Sequence, residues 1–467
     1  MSLHVLKFGG TSVGSATAIN AVAGITTEHA RGHRVVVVVS AMSGVTDALL
    51  RGAQTASAGD GQTYVDIAEG LEHKHFAAAH ELIADENELK VIETTVMRLL
   101  DEFRTLCHSV QVLGELTPRA RDAISSLGER MSAPLVAATF RQHGLIADAF
   151  DATKLIVTDD RFGDAAPLMD QTREQVQGRL LPALERGAVP IVTGFIGATT
   201  RGATTTLGRG GSDYSAGILG AALDADEVHI YTDVDGVMTT DPRLVPAARV
   251  ISTLTYEEIG ELAYFGAKVL YPKTIRPLVE RDIALYIRNT FNPEHPGTSI
   301  VRRDRAAGGA IKAVTAIRHM SIVTVAGRGM VGIPGVAART FGAVARVNAS
   351  VLMISQASSE QSICFVVPSA TTEAVVDELG AELRAEIERR DIDGVISQDN
   401  VVIVTVVGAG MRGTPGVAGQ VFGVIGQERI NIHAIAQGSS ECSISLVVDG
   451  EDADAAVAKI HELTAVA

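Results

Sequence analysis

Lys7-Phe8-Gly9-Gly10-Thr11-Ser12-Val13-Gly14 is the stretch whose reading decides the fold. It follows the short apolar run 3–6 and precedes a helix-like segment at 16–30, so it reads as strand, glycine turn and helix start. Gly9 and Gly10 lack Cβ atoms, which lets a ligand's oxygens approach the backbone N–H groups. The next helix would aim its positive end at the same spot, and Lys7 adds a full positive charge. The turn suits a phosphate, but it is not a Walker A loop, because the Gly-x-x-x-x-Gly-Lys-Ser/Thr order is missing. Taken alone it reads equally well as a plain tight turn.

Working outward, the same arrangement recurs. Arg34 leads into five consecutive valines, 35–39, which predict a strand buried on both faces in a parallel sheet. Hydroxyls follow at Ser40, Ser43 and Thr46, where Thr46 or Asp47 could equally be a helix N-cap. The apolar run 188–193 ends at Gly194-Phe195-Ile196-Gly197, and Thr204-Thr205-Thr206-Leu207-Gly208-Arg209-Gly210-Gly211-Ser212-Asp213 then opens a helix over 214–223. Arg209 offers a planar fork for a carboxylate, while Ser212 or Asp213 could serve only as the cap. Val228-His229-Ile230-Tyr231 is a further strand, with Thr232-Asp233-Val234-Asp235-Gly236 past its end and Asp241-Pro242-Arg243 as a turn. Polar clusters at 7–14, 40–46, 194–213 and 232–243 thus each follow an apolar run. Ligands of open α/β sheets sit outside the carboxyl ends of the strands, and four clusters placed there point to one site.

Between these lies a helical region at 64–139, with Leu89, Ile92, Val96, Leu99, Leu100 and Phe103 at three- and four-residue steps. Pro118 fits the first turn of a helix. Glu129-Arg130 reads either as a solvated pair or, in a cleft, as an ammonium-binding carboxylate. Phe265-Gly266-Ala267-Lys268-Val269-Leu270 reads as a helical turn, and 283–287 as one more strand.

The chain of 467 residues is too long for one core, and its net charge of −15 disfavours a nucleic-acid surface. Cys107, Cys364 and Cys442 stand apart without Cys-x-x-Cys spacing, which reads as reduced cysteine. There is no H-E-x-x-H; His73 and His75 read as surface residues, and no metal site is expected in the protein itself. No basic-then-apolar leader and no membrane-length apolar run is present, so the expected setting is the cytoplasm.

Charge and glycine rise and periodicity fades at 294–309. Beyond that the chain repeats itself. Gly327-x-Gly-Met330-x-Gly-x-Pro334-Gly335-Val336-Ala337 returns as Gly408-x-Gly-Met411-x-Gly-x-Pro415-Gly416-Val417-Ala418, an offset of 81 (416 − 335). Gln356-Ala-Ser-Ser-Glu360 returns as Gln437-Gly-Ser-Ser-Glu441 at the same offset. Two copies of this length are a duplicated domain rather than a solenoid. Each copy reads strand, glycine turn, helix, strand, strand, helix.

The motifs together resemble the aspartate kinases, members of the amino-acid-kinase fold with paired ACT regulatory modules. The resemblance rests on residues 7–13, 126–132 (Ser-Leu-Gly-Glu-Arg-Met-Ser), 205–214, 232–237, 240–243 (Thr-Asp-Pro-Arg) and 265–270, in that order. It implies an α/β architecture: an open, mainly parallel sheet between helices, then two βαββαβ modules. The expected boundaries are a catalytic domain at 1–301, a linker at 302–310, a first module at 311–395 and a second at 396–467, with the strand at 311–317 pairing into the second.

The resemblance also implies roles. Lys7 would stabilise the transferring phosphoryl group, with Asp213 organising Lys7. Gly9, Gly10 and Gly211 would offer N–H groups to the phosphates. Thr46, Glu129, Arg209 and Ser212 would hold aspartate, with Arg209 on the α-carboxylate and Glu129 near the α-amino group. Thr232, Asp233, Arg243 and Lys268 would contact ATP, which comes with Mg²⁺. Met238 is a departure, since members of that family often carry Tyr there. The implied reaction is ATP-dependent phosphorylation of the β-carboxylate of L-aspartate, the first step toward lysine, threonine, methionine and isoleucine. No homoserine-dehydrogenase-like region follows residue 467, so a monofunctional enzyme is expected. Gln356 and Gln437 would sit in effector sites, with threonine favoured over lysine, and the modules would assemble a homodimer or homotetramer. Two other readings are a silent amino-acid sensor, which would be free to lose Lys7, Arg209 or Asp213, and a kinase for another amino-acid carboxylate.

Overall fold

A computed structural model describes residues 1–266, 270–302, 310–327, 335–356, 361–438 and 440–464. The chain divides into two compact units. The first comprises Met1–Val237, Val250–Tyr256 and Val269–Asp304; the second comprises Met238–Arg249, Glu257–Lys268 and Arg305–Ala467.

The first unit is built on an eight-stranded sheet. Its spatial order is Ala147–Phe150, Val189–Thr193, Arg34–Val39, Leu3–Phe8, Glu227–Thr232, Ala284–Asn289, Thr298–Val301 and Thr253–Thr255. All its pairings are parallel except that of Ala284–Asn289 with Thr298–Val301. Val35 to Val39 are buried, as expected of β-branched residues in a strand covered on both faces. Four adjacent strands, ending at Thr193, Val39, Phe8 and Thr232, bring their carboxyl ends side by side. This adjacency turns scattered polar clusters into one site.

Helix ends differ from expectation in ways that matter. Gly44 caps the helix Val45–Ser57 and Gly210 caps Gly211–Leu223, both in the left-handed region at φ 77° and 69° with no side-chain cap. Thr46, Asp47, Ser212 and Asp213 therefore lie in first turns and cap nothing. Conversely, the helix Ala16–Ala30 is capped by Ser15, whose hydroxyl accepts from Ala18 N–H at 3.2 Å. That end is satisfied locally, and the helix starts serving the site are the other two. His75 is also not a surface residue. It is fully buried, its Nδ1 lies 2.7 Å from the Leu71 carbonyl, and burial holds its imidazole down to about 4. His73 is exposed as expected.

The second unit carries a six-stranded antiparallel sheet in the order Met353–Gln356, Ser362–Pro368, Ala313–Ala326, Gly394–Val407, Ser443–Asp449, Ala434–Gln437. The repeat is visible in the elements: Val336–Arg346, Met353–Gln356, Ser362–Pro368 and Thr372–Glu382 return 81 residues on as Val417–Gln427, Ala434–Gln437, Ser443–Asp449 and the helix starting at Ala453. Gly335 and Gly416 cap equivalent helices at φ 91° and 90°. The two long central strands serve both halves. Ala313 to Ile317 pair with Ile403 to Val407, while Met320 to Ala326 pair with Ser362–Pro368. Ile311 and Val314 accordingly pack with Val404, Val421, Leu446 and Ile460, whereas Val323 and Val325 pack with Val336, Phe365 and Leu379. The first Met-x-Gly-x-Pro turn falls at 328–334, outside the described residues.

Candidate active site

A cleft of ≈ 560 Å³ opens at the carboxyl ends of the four adjacent strands. It gathers Lys7, Gly9, Gly10, Thr46, Glu129, Arg209, Gly211, Ser212, Asp213, Thr232 and Asp233, which come from five separate stretches of sequence. Arg243 belongs to the second unit, where its guanidinium is exposed and clasps Asp241 with contacts of 2.6–3.2 Å. Lys268 lies outside the described residues; Phe265 and Gly266 follow the helix Tyr256–Tyr264.

Lys7 is the penultimate residue of its strand and holds its ammonium 2.5 Å from Asp213 Oδ1, both largely shielded from water. The carboxylate sits in the first turn of Gly211–Leu223 and fixes the direction of a long, flexible side chain. Gly10 is packed closely: a Cβ there would lie 3.1 Å from the Ala41 carbonyl oxygen. The amides divide by use. Gly9 N–H donates to the Tyr231 carbonyl at 3.3 Å and Gly211 N–H to that of Gly208 at 3.0 Å, so both are committed within the chain. Gly10 and Thr11, and Ser212 and Asp213 in the helix's first turn, have amides with no hydrogen bond among the described residues. These, with the helix's positive end, are the donors available to an anion. What Gly211 contributes is room, because a Cβ there would lie 2.6 Å from Phe195 Cδ2.

Glu129 is not part of a solvated pair. It is buried in the helix Leu127–Gln142 with Oε1 accepting from Ala41 N–H at 3.2 Å and Oε2 without a partner among the described residues. Burial lifts its carboxyl to about 8. A buried acid with one idle oxygen in a cleft is fit to receive a cationic group. Arg130 turns away to Asp151 at 3.1 Å. Arg209 is exposed, and its guanidinium makes no hydrogen bond or ion pair among the described residues, so its fork is available. The lining contains no histidine or cysteine. The cleft can therefore bind and neutralise anions and fix a cationic group, but it offers no sulfur or imidazole nucleophile.

Two residues with a part in shaping the cleft carried no assigned role in the sequence reading. Asp122 is buried and accepts from Gly163 N–H (2.8 Å), Thr206 N–H (2.9 Å) and Thr206 Oγ1 (2.8 Å), holding the strand that leads into Gly208 to Gly211. Burial still pushes its carboxyl above the usual carboxylate range. Its partners are 41 and 84 residues away, so no local pattern announces it. Phe195 lines the cleft at φ 68°, a conformation rare for an aromatic residue, with its N–H donating to Ser215 Oγ at 2.9 Å.

Residues 2–289 match the family model for the amino acid kinase family, and residues 323–383 and 404–463 match that for the ACT domain. The chain is 37% identical over 467 residues to a chloroplastic bifunctional aspartokinase/homoserine dehydrogenase of Daucus carota, covering 98% of this chain and 50% of that one. It spans about half the length of the bifunctional relatives it matches. It is 34% identical to the lysine-sensitive aspartokinase 3 of Escherichia coli K12, covering 98% of each chain. The crystal structure of E. coli aspartokinase III with aspartate and ADP superposes with a TM-score of 0.81 at 33% identity, covering 99% of both chains. Among the described residues no helix is long and apolar enough to cross a membrane.

Proposed function

This chain belongs to the amino acid kinase family, and within it to the aspartokinases, and from that premise we propose that it transfers the γ-phosphoryl group of ATP to the β-carboxylate of L-aspartate. The observation that carries the reading is one cleft holding two different kinds of recognition. Lys7, oriented by Asp213, stands beside unbonded amides of Gly10, Thr11, Ser212 and Asp213, a donor set for phosphate oxygens. Glu129 and Arg209 supply an acid and a free fork, the complement of an amino acid's ammonium and carboxylate.

The reaction asks for positioning and charge neutralisation. A β-carboxylate oxygen bonds to the γ-phosphorus, the bond from that phosphorus to the bridging oxygen breaks, and ADP departs with the electron pair. The nucleophile is already ionised near neutral pH, so no general base is required. Lys7 neutralises charge on the phosphoryl group in transit, and Ser212 and Thr46 fix the aspartate. Among the ATP contacts, Thr232 and Asp233 stand at the strand end, and Arg243 and Lys268 are assigned by family resemblance. Mg²⁺ is a hard cation taken by oxygen donors; with Asp213 paired to Lys7, the phosphates and Asp233 would supply them, and the ion offsets phosphate charge when bound.

Regulation is proposed at Gln356 and Gln437, exposed at the ends of equivalent edge strands. A side-chain amide both donates and accepts, which fits threonine's hydroxyl and amino groups, and carries no negative charge for a lysine side chain. The same edge strands expose Ile354 and Ile435, 48% and 44% accessible, which favours assembly of a homodimer or homotetramer through the modules. Three free cysteines suit the cytoplasm. The test is ADP release with aspartate, and with glutamate in its place, using hydroxylamine to trap an acyl phosphate. Aspartyl hydroxamate formed in step with ADP supports the assignment; hydroxamate from glutamate alone, or from neither, refutes it.

A further inference from the structure

Four histidines gather in the first unit near the amino ends of the central strands, away from the cleft. His4 is the second residue of the strand Leu3–Phe8, His229 lies in Glu227–Thr232, His29 is in the last turn of Ala16–Ala30, and His33 precedes Arg34–Val39. The parallel register sets His4 beside Glu227 and Leu6 beside His229, so alternation puts His4, Glu227, His229 and Tyr231 on one face. One ring nitrogen from each of His4, His29 and His229 lies within 4.8 Å of the other two.

The partners around these rings fix one proton, that of His229, and are compatible with Nε2 protonation of the other two. His29 Nε2 lies 3.1 Å from Tyr231 Oη, and His229 Nε2 lies 2.9 Å from Glu227 Oε2. His4 Nε2 faces the same carboxylate oxygen at 3.7 Å. A proton on His229 Nε2 serves the Glu227 carboxylate and leaves its Nδ1 a bare lone pair; with Nε2 protonated in the same way, His4 and His29 present Nδ1 lone pairs beside it. His4 Nδ1 and His29 Nδ1 are then 3.2 Å apart, and His229 Nδ1 is buried with no partner among the described residues. A single proton shared between His4 and His29 would still leave His229 Nδ1 orphaned. One cation accepting three nitrogen lone pairs satisfies all three. Nitrogens bonded at about 2.0–2.1 Å to a tetrahedral ion stand about 3.3–3.4 Å apart, close to the His4–His29 separation, and ring rotation closes the remainder.

We propose that His4, His29 and His229 form a binding site for a divalent late transition-metal ion of the zinc class, with water as fourth ligand. The ion would pin the end of the helix Ala16–Ala30 to the two central strands. Tyr231 and Glu227 orient the rings from behind, as the outer partners of metal-bound histidines do. Burial keeps the imidazoles neutral, His4 down to about 4 and His29 to about 3, so the lone pairs are present at neutral pH. The surrounding charge selects the ion. The Glu227 carboxylate, with the His229 hydrogen bond holding it down to about 2, is opposed by the Arg288 guanidinium 5.5 Å over the Tyr286 ring. Ions held by charge alone gain little here, whereas those that form strong bonds to nitrogen do. Glu227 is 32% accessible at its side chain, which leaves a way in.

The experiment titrates metal-free, full-length protein with Co²⁺ in the absence of nucleotide. We expect one equivalent bound, the intense visible absorption of a tetrahedral ion, displacement by Zn²⁺, and a rise in Tm with Zn²⁺ but not with Mg²⁺. His29→Gln, on a half-buried helix end, should weaken Co²⁺ binding at least tenfold and abolish the absorption, whereas His73→Gln should change neither. X-ray absorption of the cobalt-loaded wild-type protein, which needs no variant, should count three imidazoles. Absence of stoichiometric Co²⁺, fewer than three imidazoles, or unchanged Co²⁺ affinity in a folded His29→Gln protein would overturn the site.

Discussion

Glu129→Gln should stabilise the free protein and damage aspartate binding at the same time. Burial lifts the Glu129 carboxyl from 4.5 to about 8, with one backbone N–H to offset the loss of water. The folded chain thus keeps a proton that the unfolded chain has released, so this residue's contribution to stability falls as pH rises from 4.5 to about 8 and is level above. At about 1.4 kcal/mol per pH unit, the loss between pH 5 and pH 7.5 is about 3 kcal/mol. A glutamine does not ionise, so the variant escapes this slope. The gap in Tm between variant and wild type should widen by roughly 6–12 °C in the variant's favour over that range, taking about 2–4 °C per kcal/mol for a unit of this size.

Aspartate's ammonium reverses the balance. It binds the ionised acid, so binding must first remove the Glu129 proton, and at pH 7 that costs about 1.4 kcal/mol. The Kd for aspartate, measured calorimetrically at fixed nucleotide, should fall about fivefold from pH 7 to pH 8 in the wild type, as the ionised fraction of Glu129 rises from about a tenth to about a half, and stay flat in Glu129→Gln. Parallel Tm curves for the two proteins, together with an aspartate affinity equally independent of pH in both, would refute a buried, protonated Glu129 as the ammonium partner.

Other expectations follow from the same cleft. Lys7→Ala should lower kcat by two orders of magnitude or more, about 3 kcal/mol in the barrier. It should also lower Tm by stranding Asp213, so Lys7→Ala with Asp213→Asn should recover Tm but not kcat; normal turnover would remove Lys7 from the chemistry. Arg209→Lys should raise the KM for aspartate at least tenfold while the KM for ATP moves little, and equal damage to both would reassign the guanidinium to the phosphates. Threonine should inhibit and lysine should do so weakly or not at all, with Gln356→Ala and Gln437→Ala each less sensitive; full sensitivity in both variants, or stronger inhibition by lysine, would refute these effector sites.

The strand ends were legible because parallel strands buried on both faces must be runs such as 35–39, and the ligand side of such a sheet is known in advance. The repeat was legible because a duplicated module keeps its spacing, here 81 residues from Gly335 to Gly416. What escaped reading depends on partners distant in sequence. Asp122 looks like any helical acid until Gly163 and Thr206 are folded against it. His75 sits on a helix whose buried stripe includes Tyr64, Ala68, Leu71 and Ala78, and its Leu71 carbonyl bond removes the need for water at Nδ1. The caps misled for a local reason. Ser, Thr and Asp are the usual N-caps, but a left-handed glycine two or three residues earlier ends the turn first and frees those side chains for the cleft. The meeting of His4, His29 and His229 needs two strands and a helix end at once, so no spacing rule finds it.

The second unit takes in more than the repeat. Residues 238–249 belong to it, although Thr232 and Asp233 just upstream line the cleft of the first. Within the second unit this segment is bound to the regulatory sheet. Val314 N–H donates to the Thr239 carbonyl at 2.8 Å, Thr239 Oγ1 lies 2.8 Å from His461 Nε2, and Arg249 donates to the Thr464 carbonyl at 3.2 Å. Val314 lies on the long strand Ala313–Ala326, whose other end pairs with the strand next to Met353–Gln356. His461 ends the helix that packs on the second repeat. Both halves of the repeat therefore reach the segment that carries Asp241 and Arg243, one through a shared strand and one through a helix end. Because the long strands are common to both halves, a shift in one half cannot leave the other's pairing untouched. An effector needs only a few kcal/mol of preference between two arrangements of such a sheet to move the segment that carries Asp241 and Arg243. The interleaving of the modules, rather than either module alone, is the feature that would couple both halves of the repeat to this segment.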